Sequence, residues 1–176
     1  MIVAHVGMGS NTGDRRAVLA TAAGALAAIP ATRRLGVSSV YESVAVGDPR
    51  LPSFLNAGVR LSTGLSARDL LERLLAIEEG AGRGATGRHR ARRLDLDLLA
   101  FGDRVLREEG LIVPHPRLSW RPFALLPMVE LDPGWRHPEH GMSAAAMVHA
   151  FPARGDVRWA GRLVTEEQHA MATAVP

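Results

Sequence analysis

The chain has 176 residues, 47% of them hydrophobic, which suits one domain with a buried core; it has no cysteine, which excludes disulfides, thiolate nucleophiles and sulfur-ligated zinc together. All 21 basic residues behind the net charge of +3 are arginine, so a phosphate-loop lysine and a Schiff-base lysine are both excluded, and any phosphate must be met by arginine, histidine, backbone N–H or metal. No apolar run approaches the roughly 20 residues that span a bilayer, and the opening MIVAHVGMGSN lacks the basic and apolar regions of a signal peptide, so a cytoplasmic protein is expected.

Taken in chain order, residues 2–7 read as a buried strand followed by a Gly-Ser-Asn-Thr-Gly turn. Residues 14–29 carry Val18, Leu19, Ala22, Leu26 and Ile29 at helical spacing, and Pro30 stops the helix. Residues 37–44 predict a strand, Pro49 and Pro52 mark a loop, and residues 55–61 predict the next strand. Ser66 and Asp69 resemble a capping box opening a helix with Leu70, Leu71, Leu74, Leu75 and Ile77 on its buried side. Gly80, Gly82, Gly84 and Gly87 break the chain into a loop, residues 94–101 return as a strand, and residues 105–111 suggest a hairpin arm. Pro122 opens a short helix to Leu131, its missing N–H costing nothing at that position. The order β-α-β-β-α-β predicts an α+β, ferredoxin-like antiparallel sheet with helices packed on it. The expected domain covers residues 1–160, with 161–176 a loosely ordered tail; beyond about residue 135 periodicity assigns no element.

The run Arg92-Arg93-Leu94-Asp95-Leu96-Asp97-Leu98 carries the sharpest chemical signal. Alternation sends Asp95 and Asp97 to one strand face and the leucines to the other, with the two Cα atoms about 7 Å apart at a rise of about 3.3 Å per residue. Such a pair can converge on hard cations, and paired magnesium ions sit about 3.5–4 Å apart. A half-exposed strand with a solvated acidic face explains D-x-D by itself equally well. Just upstream, residues 83–93 hold Arg83, Arg88, Arg90, Arg92 and Arg93 on a glycine-rich segment. Leading into an acidic pair, it reads as a lid neutralising a triphosphate whose metal the aspartates hold. A solvated basic loop and a nucleic-acid patch compete with that reading, and the adjacent carboxylates count against the second.

Seven fragments in order make the chain recognisable: Gly9-Ser10-Asn11; residues 38–43 (SSVYES); Phe54-Leu55-Asn56-Ala57; Glu78 with Gly82-Arg83; residues 92–97 (RRLDLD); Val113-Pro114-His115-Pro116; and residues 121–127 (RPFALLP) with Glu130 and Pro133. On these it resembles the 6-hydroxymethyl-7,8-dihydropterin pyrophosphokinase family, over most of its length. The resemblance implies an enzyme of folate biosynthesis that transfers pyrophosphate from Mg-ATP to the hydroxymethyl group of the reduced pterin and releases AMP. It implies that Asp95 and Asp97 hold two Mg²⁺ ions. Phe54 and Phe123 would stack on the pterin, although core packing is the commoner fate of a phenylalanine. Asn56 would read the pterin edge with both donor and acceptor, with groups of Ser43, Val44 and Val46 beside it. Arg83 and Arg92 would act with the aspartates on the phosphates, and Glu78, His89, Leu98 and His115 would face ATP.

The nucleotide side departs from the family. Gly84-Ala85 follow Arg83 where R-x-R is usual, and residues 88–92 read Arg-His-Arg-Ala-Arg in place of R-W-G-P-R. Leu75 and Ile112 stand where many members carry polar residues. Alternatives are therefore the same fold acting on another pterin or nucleotide, a catalytically silent pterin- or nucleotide-binding module, and an RNA-binding domain of similar shape; the last would want exposed aromatics on central strands. The expected partners are ATP and a pterin, with no nucleic acid and no membrane, and the expected state is a monomer.

Overall fold

The computed structural model describes residues 1–44, 52–82, 93–151 and 157–163. Strand β1 (Ile2–Ser10) leads to α1 (Arg15–Ala27), then β2 (Thr32–Val37), β3 (Ser39–Ser43), β4 (Phe54–Thr63), α2 (Ala67–Gly80) and β5 (Asp95–Phe101). The sheet runs β5-β1-β4-β3-β8, where β8 is Val157–Arg162, with β2 also on β4, and every pair in it is antiparallel. β2 and β3 are two halves of one path along β4: Thr32 to Val37 oppose Thr63 to Val59, and Tyr41 to Ser43 oppose Asn56 to Phe54. Ser38 joins the halves, donating from its N–H to Gly58 O (3.0 Å) while its hydroxyl accepts from Gly58 N (2.8 Å). Counted as one strand, they complete the expected ferredoxin-like α+β arrangement. The strand expected at residues 37–44 thus begins earlier, at Thr32, because exposed Arg33 and Leu35 on an edge blur the apolar period.

Alternation sorts the sheet residues onto two faces. Ala4, Val6 and Met8 of β1, Leu55, Ala57, Val59 and Leu61 of β4, and Leu96 and Leu98 of β5 pack with Leu19, Ala22 and Leu26 of α1 and Leu70 and Leu74 of α2. Capping starts both helices, the Asp14 side chain accepting from Ala17 N and Ser66 from Asp69 N. Along α2 the buried stripe is Ala67, Leu70, Leu74 and Glu78, so Leu75, expected inside, is exposed.

Helices α3 (Pro122–Leu131) and α4 (Ala144–His149) pack a second cluster, Ala124, Leu125, Met128, Met147 and Val148, onto Leu99 and Ala100. Leu99 faces that way by alternation with Asp95 and Asp97, and Ala100 joins it because β5 bulges: Val6 pairs with Leu98, but His5 pairs with Ala100. The approach of α3 to the sheet requires Gly58, where an added Cβ would lie 2.8 Å from Pro127 Cβ. A separate hairpin, β6 (Leu106–Glu108) with β7 (Leu111–Val113), buries Leu111 and Val113 in the first core. The region without assigned elements holds α4 and β8 (Val157–Arg162). β8 crosses the expected boundary at residue 160, and Leu163 is buried; the rest of the tail, 164–176, lies outside the described residues. Among the described residues no helix is long and apolar enough to cross a membrane.

Candidate active site

The face of the sheet that meets α3 carries the candidate chemistry. Asp95 and Asp97 stand there, half-buried, while Leu94, Leu96 and Leu98 are buried on the other side. Their partners across the ladder are Gly9 and Gly7, so no side chain of β1 covers the carboxylates. Gly9 also pairs with Asn56 of β4. A Cβ built on Gly9 would lie 3.5 Å from Asn56 Oδ1, 3.7 Å from Phe54 Cδ1 and 3.9 Å from Asp95 Cβ. One missing methyl group therefore leaves a cradle bordered by an aromatic ring, an amide oxygen and an acidic strand.

The orientation of Asn56 follows from its neighbours. Its Nδ2 donates to Ser43 Oγ (3.0 Å) and to the Tyr41 carbonyl (3.3 Å). A main-chain carbonyl only accepts, so the atom facing it must be the NH₂. The amide oxygen is left toward the cradle, so Asn56 offers an acceptor there, whereas the sequence suggested both donor and acceptor. Ser43 is buried and Val44 exposed where the chain leaves β3; Val46 lies outside the described residues.

At the other end of the acidic pair, Arg121 Nη1 donates to Asp97 Oδ2 at 2.5 Å, and its guanidinium carbon lies 5.7 Å from the centre of the Phe123 ring. Phe54 and Phe123 are both half-buried rather than sealed in the core. The His115 main chain docks on β5, its N–H donating to Leu99 O (2.9 Å). Its Nδ1 accepts from Arg117 N (3.1 Å), which assigns the proton of the neutral ring to Nε2, 3.9 Å from Asp97 Oδ1. Burial holds the imidazole below its usual range against the pull of Asp97.

Two of the expected ATP contacts have buried side chains. Glu78 is buried and its Oε1 accepts from Leu96 N at 2.6 Å, so it fixes the outer edge of β5 between the two aspartates. The Leu98 side chain is buried in the first core, leaving only its main chain for a ligand. Arg83, His89 and Arg92 lie outside the described residues. Arg121, by contrast, received no role in the sequence reading; its only local signal was an arginine directly before a helix-opening proline, and its contact with Asp97 joins residues 24 apart. A cavity of about 460 Å³, lined by Ile112, Pro114, Pro116, Arg107 and Glu139 among others, lies against the segment carrying His115 and includes neither aspartate.

The donor set fits magnesium. Asp95 and Asp97 supply hard oxygen ligands, and among the described residues no group of three His, Cys, Asp or Glu forms a closed cage. A magnesium ion held by one or two carboxylates keeps positions for water and phosphate oxygens.

The sequence model of the family described as 7,8-dihydro-6-hydroxymethylpterin-pyrophosphokinase matches residues 5–133. The chain is 39% identical over 148 residues to the 2-amino-4-hydroxy-6-hydroxymethyldihydropteridine pyrophosphokinase of Synechocystis sp., covering 82% of this chain and 74% of that one. It is 37% identical over 157 residues to the Pseudomonas aeruginosa protein of the same name, covering 89% and 96%. An HPPK-DHPS crystal structure in complex with substrates superposes with a TM-score of 0.69 at 12% identity, over 90% of this chain and 46% of that one. Plasmodium falciparum HPPK-DHPS with pterin and p-hydroxybenzoate gives 0.68 at 13% identity, over 90% and 47%. At that identity these structures show the fold, and this chain spans just under half of each.

Proposed function

The chain belongs to the 7,8-dihydro-6-hydroxymethylpterin-pyrophosphokinase family, and from that premise we propose how its own side chains carry the reaction. It is an ATP-dependent pyrophosphokinase of folate biosynthesis. The hydroxymethyl oxygen of the pterin bonds to the β-phosphorus of ATP, the bond from that phosphorus to the α-phosphate oxygen breaks, AMP leaves, and the hydroxyl proton is released.

The convergence of Phe54, Asn56 and Asp95 around Gly9 supports this reading most directly. The Asn56 oxygen accepts from an N–H on the pyrimidine edge of the pterin. Main-chain groups of Ser43 and Val44, and on the resemblance alone of Val46, would complete that edge, and the Phe54 and Phe123 rings clasp the flat heterocycle, each ring contributing about 1 kcal/mol beyond its buried area. Asp95 and Asp97 would hold two Mg²⁺ ions, which supply charge neutralisation on the phosphates and acidify the hydroxyl. With the hydroxyl acidified in this way no dedicated base is required, and Asp97 is the nearest candidate for one. His115 Nε2–H and Arg121 donate to phosphate oxygens as negative charge moves onto the leaving group. On the resemblance alone, Arg83, Arg92 and His89 meet the triphosphate and nucleoside. Glu78 and Leu98 serve by holding β5. We further propose a cytoplasmic monomer whose partners are these small molecules and not nucleic acid.

On the resemblance alone, His89 stands where a larger aromatic usually covers the nucleotide, so discrimination between ATP and GTP would be modest; Leu75 and Ile112, both exposed, would be apolar at positions of the nucleotide side. The deciding experiment incubates the protein with Mg-ATP and the reduced pterin. AMP without ADP is expected; ADP would make it a simple kinase, and no product a binding module.

A further inference from the structure

Behind the cradle lies a charged cluster that none of these roles uses. Along β3, Tyr41 and Ser43 face the α3 side: the Tyr41 hydroxyl donates to Glu130 (3.1 Å), and Ser43 Oγ accepts from Asn56. Glu42, between them, points to the α1 side. There its carboxylate accepts from Ser53 Oγ (2.5 Å), from Arg15 Nη1 (3.4 Å), and from Arg158 Nε (3.1 Å) and Nη2 (2.7 Å). Arg15 also donates to the Ser53 carbonyl (2.7 Å). The start of α1, the end of β3, the start of β4 and strand β8 therefore meet at one carboxylate.

The ladder between β3 and β4 has three pairs: Tyr41 with Asn56, Glu42 with Leu55, and Ser43 with Phe54. Its end is where Asn56 and Phe54 border the cradle, and the chain leaves after Ser43 and returns at Pro52. Ser38 and β2 continue the pairing at its other end, but the end beside the cradle frays unless it is pinned, and the bond between Glu42 and Ser53 ties the departing chain to the returning one.

We propose that Glu42 is a positioning residue for pterin recognition, acting through the sheet to hold Ser43, Phe54 and Asn56 in register without touching the pterin. The clamp includes β8, a strand beyond residues 5–133 matched by the family model. The proposal rests on reading Phe54 and Asn56 as pterin contacts.

The full chain carrying Glu42→Gln, Arg158→Ala or both tests it, through separate KM values for pterin and ATP and direct pterin titration without nucleotide. Glu42→Gln is expected to raise pterin KM and Kd about tenfold while ATP KM and kcat stay within about twofold. Arg158→Ala should give a smaller rise in the same sense, and the double variant should be no worse than Glu42→Gln, because both break one contact. The Arg158 side chain is 78% exposed, so its removal reports even where Glu42→Gln fails to fold. Unchanged pterin KM in Arg158→Ala and in any folded Glu42→Gln overturns the proposal. Equal rises in both KM values, the mark of a merely weakened fold, overturn it too. A wild-type chain that binds no pterin and makes no AMP overturns the functional reading and this one together; an active wild type with unmoved variants overturns only this one.

Discussion

Asp97 has a nearby positive partner in Arg121 and open glycine across the ladder, so its charge is positioned by the fold yet contributes little to the core. Asp97→Asn keeps the shape and removes the charge; turnover should fall by orders of magnitude while melting shifts by less than about 1 kcal/mol, the usual scale for a partly exposed pair. Asp95→Ala should do the same. Retention of more than about a tenth of the activity, a barrier change under about 1.4 kcal/mol, would dismiss the metal role. Phe54→Ala and Phe123→Ala should weaken pterin binding far more than ATP binding, read by separate titrations; a lowered melting temperature with pterin affinity intact would make them core residues. Glu42 adds a pH signature. The Ser53 hydroxyl first, then Arg158 and Arg15, hold its carboxyl at about 2, below the ordinary 4.5. A depressed folded-state pKa means stability present above about 4.5 and lost as pH falls toward about 2. The melting advantage of wild type over Glu42→Gln should shrink across that window, and a constant difference would contradict it. The face shared by Asp95 and Asp97 was legible in their spacing, since a strand has a period of two. The Asn56 orientation was not, because it is set by Tyr41 and Ser43 on another strand.

At the level of elements, the placement of α3 decides whether Arg121 and Phe123 reach the acidic strand. Pro127 rests on Gly58 with no room for a Cβ, and Asp132, just past the helix, meets Arg60 at 3.3 Å. Gly58→Ala should force the helix outward and cost about 1–3 kcal/mol by overpacking, with turnover lost in parallel; denaturant melts and initial rates check both. A variant of unchanged stability would show that α3 yields freely. The helices were readable from capping residues and periodic leucines, but Glu78 shows the limit. Its spacing after Leu70 and Leu74 puts it on the buried stripe of α2, but its partner, Leu96 N, is a matter of tertiary structure, because a carboxylate inside a leucine pattern has no sequence signal for what it accepts. β2 was missed for a related reason: an edge strand rich in arginine lacks the apolar alternation that betrays a strand.

For the molecule as a whole, ligand binding to the native state must raise its melting temperature by mass action. Thermal melts with ATP should show a clear rise when magnesium is present and little when a chelator removes it, since two bare carboxylates repel a triphosphate. An equal rise in both conditions would mean that arginine alone holds the nucleotide. The chain order β-α-β-β-α-β and the seven motifs determined the fold class and the family by themselves, because short-range periodicity and glycine, proline and capping chemistry act within a few residues of sequence. The tertiary structure alone decided that Gly9 is the floor between Phe54, Asn56 and Asp95, that Arg121 reaches Asp97, and that β8 closes on Glu42. Those contacts join residues dozens of positions apart, and such pairings become defined only when the sheet fixes which strands lie side by side.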